Sequence, residues 1–325
     1  MNASRTPTAE RLESPDLPAP AHMVVGPGAI GRLLALSLQR TVQDSAAVSL
    51  LGRRTLPEQQ CLETPDGKRI PLRITTLMEP SHAPIRPDMV VHLTTKSWAT
   101  MNAFETLAPH LPVDIPLVLW QNGFRVQHPI SNRWMGPVLC ASTTEGAYVV
   151  DDSHVVHAGR GHTVIGHLNG HYREVAVQLA EQLSHAGLAA TAVDDIEVRL
   201  WHKLVVNAVI NPLVARFRIT NGQLRDTPYS SLVEATLDEL STLMQALKVP
   251  APPSTSLYPW HDLVWQVIER TAANRASMLQ DLEANRPTEY DAILGPLREA
   301  AQTAGIATPQ LDSRWQELEV RNNQG

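Results

Sequence analysis

The chain has 325 residues, with 27 Lys and Arg against 33 Asp and Glu and a formal net charge of −6. That length exceeds one ordinary core and implies two domains, and the mild acidity without a basic run argues against nucleic acid or an anionic membrane as partner. Two cysteines, Cys61 and Cys140, are too few for a disulfide scaffold and too far apart for a metal clip. No apolar run reaches the roughly 18 residues of a membrane span, so a soluble, cytoplasmic chain without a metal site is expected.

Residues 1–20 carry four prolines and several charges but no apolar signal core. They read as a loosely attached arm and not as a leader. The first strong motif follows: Met23-Val-Val-Gly26-Pro-Gly28-Ala29-Ile30-Gly31, with an amphipathic pattern after it. A short apolar run entering Gly-x-Gly-x-x-Gly and leaving as a helix has the order a dinucleotide-binding turn needs. Gly26 makes the tight turn, Gly28 lets the backbone approach a pyrophosphate, and Gly31 lets helix pack on strand. The helix start, at Ala29 and Ile30, offers unpaired N–H groups and a partial positive charge to phosphates.

A second strand is predicted at 47–52, about 20 residues after the turn. An NAD site places an acid at its end to hold the ribose hydroxyls; here Arg53 and Arg54 stand there, and Glu58 is the first acid. A guanidinium grips a 2′-phosphate with paired donors, so NADPH is the expected cofactor over NADH. Further strands are predicted at 89–93, 117–120 and 138–141, with helices at 31–40, 99–107 and 172–186. Segments 143–150, 154–158 and 162–166 read as antiparallel strands finishing the sheet. The alternation predicts an α/β fold with a doubly wound parallel sheet. Two motifs fall at strand ends, where such sheets bind ligands: Thr94-Thr-Lys96-Ser-Trp and Gln121-Asn122-Gly123.

From about residue 194 the strands stop and helical periodicity runs to the C-terminus. The expected division is therefore an arm at 1–20, a dinucleotide-binding domain at 21–193 and an all-helical domain at 194–325. In Leu200-Trp-His-Lys203-Leu-Val-Val-Asn207-Ala-Val-Ile-Asn211-Pro212, Lys203, Asn207 and Asn211 share one stripe of an otherwise apolar helix. Burying an ammonium and two carboxamides without partners costs several kcal/mol each, so the stripe either binds protein or lines a polar cavity. The Pro- and Ser-rich stretch 249–256 is an internal loop. Ser277-Met-Leu-Gln-Asp281 then leads to Arg286-Pro287-Thr288-Glu289-Tyr-Asp291, where Pro287 ends one helix and Glu289 falls in the first turn of the next. An acid there is either a complement to the helix dipole or a group of the site.

With these motifs in this order, from about residue 23 to 309, the chain resembles the ketopantoate reductases. The resemblance implies reduction of 2-dehydropantoate to (R)-pantoate with NADPH in pantothenate and coenzyme A synthesis. It also implies a helical second domain like those of the hydroxyacid and 6-phosphogluconate dehydrogenases, with the active site in the cleft and a monomer or homodimer as the assembly. By resemblance Lys203 is the general acid and Glu289 supports it. Asn122, Asn207, Asn211 and Ser277 hold the substrate, with Asn122 and Glu289 also at the cofactor, and Arg53 and Lys96 face the NADPH 2′-phosphate side. Phe124-Arg125 stands where many relatives have a second Gly, Leu294 where Asn is frequent, and the 249–256 loop is longer than usual. Two other readings are a reductase of another 2-oxo acid and a non-catalytic NADP-binding sensor. A sensor needs only the cofactor half, which the joint presence of Lys203, Asn207, Asn211, Ser277 and Glu289 argues against.

Overall fold

A computed structural model describes residues 21–42, 44 and 47–323; the N-terminal arm lies outside the described residues. Short runs of continuous apolar sequence become strands buried on both faces, as a parallel sheet covered by helices requires. They are β1 (His22–Val25), β2 (Val48–Leu51), then, after the excursion described below, β6 (Val90–Leu93), β7 (Leu117–Leu119) and β8 (Val138–Thr143). Three short segments, β5 (Thr75–Leu77), β11 (Thr163–Gly166) and β12 (Ala190–Ala192), complete an eight-stranded sheet in the order β12-β11-β8-β7-β6-β1-β2-β5. All neighbours run parallel except β11 and β8. Helices α1 (Ala29–Gln39), α2 (Ser97–Leu107), α3 (Gln127–Arg133) and α4 (Arg173–His185) lie among these strands.

Strand order reverses at β1, which is flanked by β2 on one side and β6 on the other. The crevice outside the carboxyl ends of β1 and β6 is the topological switch point, where open α/β sheets bind ligands. Both the glycine turn and the Thr94–Ser97 loop open there.

One expectation is corrected. Of the three segments predicted to finish the sheet, only β11 joins it. β9 (Gly146–Asp151) and β10 (His154–Gly159) instead form a second sheet, order β4-β3-β10-β9, with β3 (Gln59–Glu63) and β4 (Arg69–Arg73), which the sequence reading passed over. β4 alternates exposed arginines with half-buried Ile70 and Leu72 around Pro71, a pattern that fits an edge strand because proline cannot donate to a ladder. Leu62 and Val155 of this sheet pack with Leu33 and Leu34 of α1. Arg32, fully buried, donates from the same helix to the backbone carbonyls of Asp151 (2.6 Å) and Asp152. The small sheet thereby braces the helix that follows the glycine turn.

After β12 the chain is helical: α5 (Ile196–Phe217), α6 (Tyr229–Ala246), α7 (Pro259–Arg270), α8 (Ser277–Glu283), α9 (Tyr290–Ala304) and α10 (Pro309–Asn323). α5 runs through the centre and packs on all five others, as its nearly all-round apolar sequence predicts. Its first turns also belong to the sheet: Ile196 and Leu200 pack with Leu117, Cys140 and Leu168, whereas Leu204 onward enters the core of the helical domain. The 249–256 stretch is an internal connection between α6 and α7, tied to α5 where His202 Nε2 meets the Pro250 carbonyl at 2.8 Å.

Candidate active site

The glycine turn is built as its spacing predicts. Gly26 has φ +97°, and a Cβ there would lie 2.6 Å from Thr95 N, so the turn and the loop after β6 touch backbone to backbone. A Cβ on Gly31 would meet the Gly26 carbonyl at 2.3 Å, the close helix–strand contact expected of the third glycine. A Cβ on Gly28 would meet nothing within 4 Å, so this glycine faces open space beside the first turn of α1. That open cradle, beside the N–H groups of Ala29 and Ile30, fits a pyrophosphate. Thr94 holds the turn by donating to the carbonyls of Val25 (3.0 Å) and Gly26 (2.7 Å).

Gly52, one residue before Arg53, sits against Pro27 of the turn, where a Cβ would meet Pro27 Cγ at 2.7 Å. Arg53 therefore starts beside the turn, exposed and without an ion pair among the described residues. Arg54 is not equivalent, since it makes a bidentate pair with Asp152.

Lys96 lies on the opposite side of β1 from Arg53 and reaches across the cleft. Its ammonium binds Asp281 Oδ2 at 2.7 Å and Glu289 Oε2 at 3.4 Å, both on the helical domain. Burial pulls the Lys96 ammonium down, but Glu289 and Asp281 together outweigh it and raise its pKa above the ordinary value. Lys96, expected on the 2′-phosphate side of a cofactor, thus also joins the loop after β6 to α8 and the start of α9. Asp281, 4% exposed, is further bound by Arg286 at 3.0 Å.

Glu289 is the residue just before α9, not within its first turn, and its side chain makes no capping bond. It turns instead to the loop after β6, accepting from Ser97 N at 2.9 Å. It stands at the N-cap of α9, where its charge still complements the helix dipole. Asn122, half-buried, follows β7 on a loop whose Gly123 has φ +81° and abuts α9; a Cβ there would lie 1.9 Å from the Ala292 carbonyl. Gly123→Ala is expected to force the loop from α9 and lower Tm by several degrees, the scale of a strained, overpacked backbone site. Thermal unfolding measures it, and an unchanged Tm would contradict the contact.

Lys203, Asn207 and Asn211 occupy successive turns of α5. Lys203 Nζ donates to the Thr143 carbonyl at 2.8 Å, and neither amide makes a side-chain hydrogen bond with the described residues. Burial, opposed by the attraction of Glu289, lowers the Lys203 pKa to about 8. Ser277 is the exposed first residue of α8, which packs along α5. The structure thus joins Lys96, Asp281 and Glu289, sets Glu289 near enough to Lys203 to act on its charge, and puts Arg53 next to the Gly52–Pro27 contact.

Several residues here escaped the sequence reading. Asp281 is one, and an acid amid apolar Met278, Leu279 and Leu282 is the signal that points to a partner. Gln121 ties two loops, donating to the Leu93 (2.7 Å) and Thr95 (3.0 Å) carbonyls. Arg125, noticed only as a departure, clamps Asp291 at 2.7 Å and Glu299 at 2.7 Å across the cleft and lies on Gly295, where a Cβ would meet its guanidinium at 1.9 Å.

A cradle for a dinucleotide at the switch point, together with a half-buried lysine of lowered basicity on the helical domain, defines a two-domain nicotinamide-dependent oxidoreductase. Comparison with known proteins narrows the class. The model described as "Ketopantoate reductase PanE/ApbA" matches residues 22–170, and "Ketopantoate reductase PanE/ApbA C terminal" matches 195–322. The chain belongs to the ketopantoate reductase family. It is 35% identical to the 2-dehydropantoate 2-reductase of Vibrio cholerae over 92% of this chain and 96% of that one. The 2-dehydropantoate 2-reductase of Archaeoglobus fulgidus is 33% identical over 87% and 91%. Among solved structures, a ketopantoate reductase from Ralstonia eutropha superposes with TM-score 0.80 at 21% identity, covering 94% of this chain and 98% of that one. D-mandelate dehydrogenase, solved with NADH and anilino(oxo)acetate, gives TM-score 0.80 at 20% identity, with 93% and 99% covered. Shared fold alone is what these last two establish. No described helix is long and apolar enough to cross a membrane.

Proposed function

We propose that this protein reduces 2-dehydropantoate to (R)-pantoate with NADPH, in the cytoplasm, as a step toward pantothenate and coenzyme A. The observation that carries the reading is Lys203, half-buried on α5 with Nζ held at 2.8 Å by the Thr143 carbonyl and Asn207 and Asn211 on the next turns, its pKa lowered by burial to about 8. An acid working near neutral pH is most effective with such a value. The backbone of Gly26, Gly28, Ala29, Ile30 and Gly31 would hold the pyrophosphate and Arg53 the 2′-phosphate, with Asn122 and Glu289 toward the nicotinamide. Bound there, the reduced nicotinamide supplies a hydride.

When the ketone carbon becomes tetrahedral, negative charge grows on its oxygen. Lys203 stabilises that charge and gives its proton to the oxygen. The amine is then recharged from solvent, and the negative charge of Glu289 favours the ammonium form. Asn207 and Asn211 offer uncharged donors and acceptors to the substrate hydroxyl and carboxylate, and Ser277 offers a donor to the carboxylate. Asn207→Ala and Ser277→Ala are expected to raise KM for the oxo acid about tenfold, the scale of one lost hydrogen bond, with a smaller change in kcat. A comparable fall in kcat with KM unmoved would place these residues in the chemistry instead.

A second reading, a reductase of another 2-oxo acid, is favoured by one observation. Phe124, in place of the usual small residue, packs tilted against Trp201 with ring centroids 4.7 Å apart, placing an aromatic pair two residues from Asn122. Steady-state NADPH oxidation with a panel of 2-oxo acids tests both. The highest kcat/KM on 2-dehydropantoate supports the first reading, and a preference for an aryl-substituted acid supports the second. Absence of turnover with every acid would return the non-catalytic sensor.

A further inference from the structure

The Lys203 ammonium is anchored by a backbone carbonyl, that of Thr143. A carbonyl is aimed by whatever fixes its peptide, and here the fixing is elaborate. Thr143 ends β8, where the chain leaves the large sheet for β9 of the small one. Its hydroxyl oxygen accepts from Thr163 Oγ1 at 2.9 Å and from Glu145 N at 3.1 Å. The neighbouring Thr144 N donates to the His162 carbonyl at 3.0 Å, and His162 N donates back to Thr144 Oγ1 at 2.8 Å.

Glu145 closes the cluster. Its side chain is 5% exposed, and Oε2 meets His157 Nε2 at 2.6 Å and accepts from Gly161 N at 2.8 Å. Gly161 leaves no room for a side chain, since a Cβ would lie 2.3 Å from the Thr144 carbonyl carbon and 2.4 Å from Glu145 N. A buried acid–imidazole pair is weak evidence for stability, because a well-packed apolar pair does as well. What it supplies is direction: one carboxylate oxygen joins the end of β8 to the β10 strand and the β10–β11 connection.

We propose that Glu145, held by His157 and the Gly161 amide, is a positioning residue for proton transfer, fixing the end of β8 so that the Thr143 carbonyl holds the Lys203 ammonium in the cleft. The proposal rests on reading Lys203 as the general acid. Lys203 is faced by Glu289 from the start of α9, with Lys96 and Asp281 behind it; Glu145 is faced by His157.

Glu145→Gln and Thr143→Val test it, the second being near-isosteric and retaining the carbonyl. Each is expected to lower kcat about tenfold with KM for NADPH unchanged, the scale of a sub-ångström misplacement. A carbonyl bond favours the charged ammonium, so loosening it should move the alkaline limb of the kcat–pH profile downward by about half a unit or more. If Glu145→Gln fails to fold, Thr143→Val decides. Folded variants with the parent's kcat and limb overturn the proposal, as does a lower kcat with an unmoved limb, the mark of general loosening. Lys203→Ala, measured alongside, keeps the two readings apart. An active Lys203→Ala refutes the acid assignment, whereas an inactive one beside parent-like cluster variants refutes the positioning role alone.

Discussion

Lys203→Ala is expected to lower kcat by about 10²-fold or more, the usual cost of losing a general acid, with NADPH affinity nearly unchanged. The expectation follows from where the side chain lies. Lys203 comes from α5, and its ammonium donates to the Thr143 carbonyl at the end of β8, three strands from β1 and the glycine turn. Removing it leaves the cradle intact but leaves the growing oxyanion without its cation. The pH dependence carries the same sign. Burial, partly offset by Glu289, sets the ammonium pKa to about 8, so the competent acid is present below that value and is lost as pH rises through it. The parent kcat should fall above about pH 8, and this limb should be absent from the residual activity of Lys203→Ala. Glu289→Gln removes the opposing attraction, so its limb should lie below the parent's. Retention of kcat within about threefold in Lys203→Ala would dismiss the assignment, since a lost acid costs far more.

Arg53→Ala is expected to weaken NADPH binding by about 10- to 100-fold and NADH binding little, because a charge-assisted bond to phosphate is worth about 1.5–3 kcal/mol. Arg53 follows the Gly52–Pro27 contact and is exposed beside the turn, whereas Arg54 is bound to Asp152 and Lys96 to Asp281 and Glu289. Of the three, Arg53 alone has no ion pair among the described residues, so the largest loss is expected there. Raised salt should shrink the difference between the cofactors, since the site is exposed. Titration of both dinucleotides by nicotinamide fluorescence measures the effect. Equal losses would show that Arg53 does not read the phosphate, and a parent preference for NADH would remove the NADPH assignment altogether.

Where local pattern and final structure coincide, the sequence was legible. The glycine spacing, the buried strands and the polar stripe on α5 each depend on residues close in the chain. The small sheet was not, because its β3–β10 pairing joins residues such as Cys61 and His154, and nothing local reports that partnership. The ion pairs of Lys96 were hidden for a related reason. A cation after a strand suits a phosphate as well as a carboxylate, and the carboxylates that took it lie at Asp281 and Glu289, far along the chain. Arg125 likewise read as a departure from a glycine and became a clamp only once α9 was set against it, over Gly295.

The path of α5 bears on how the molecule comes apart. Ile196 and Leu200 complete the core of the sheet, and the same helix supplies the centre of the helical core from Leu204 onward. Neither half can shed this helix without opening its own interior, so heat should melt both in one cooperative step, with calorimetric and van't Hoff enthalpies in agreement. A sheet half produced alone through residue 193 should be prone to aggregation, its apolar seat for Ile196 and Leu200 left bare.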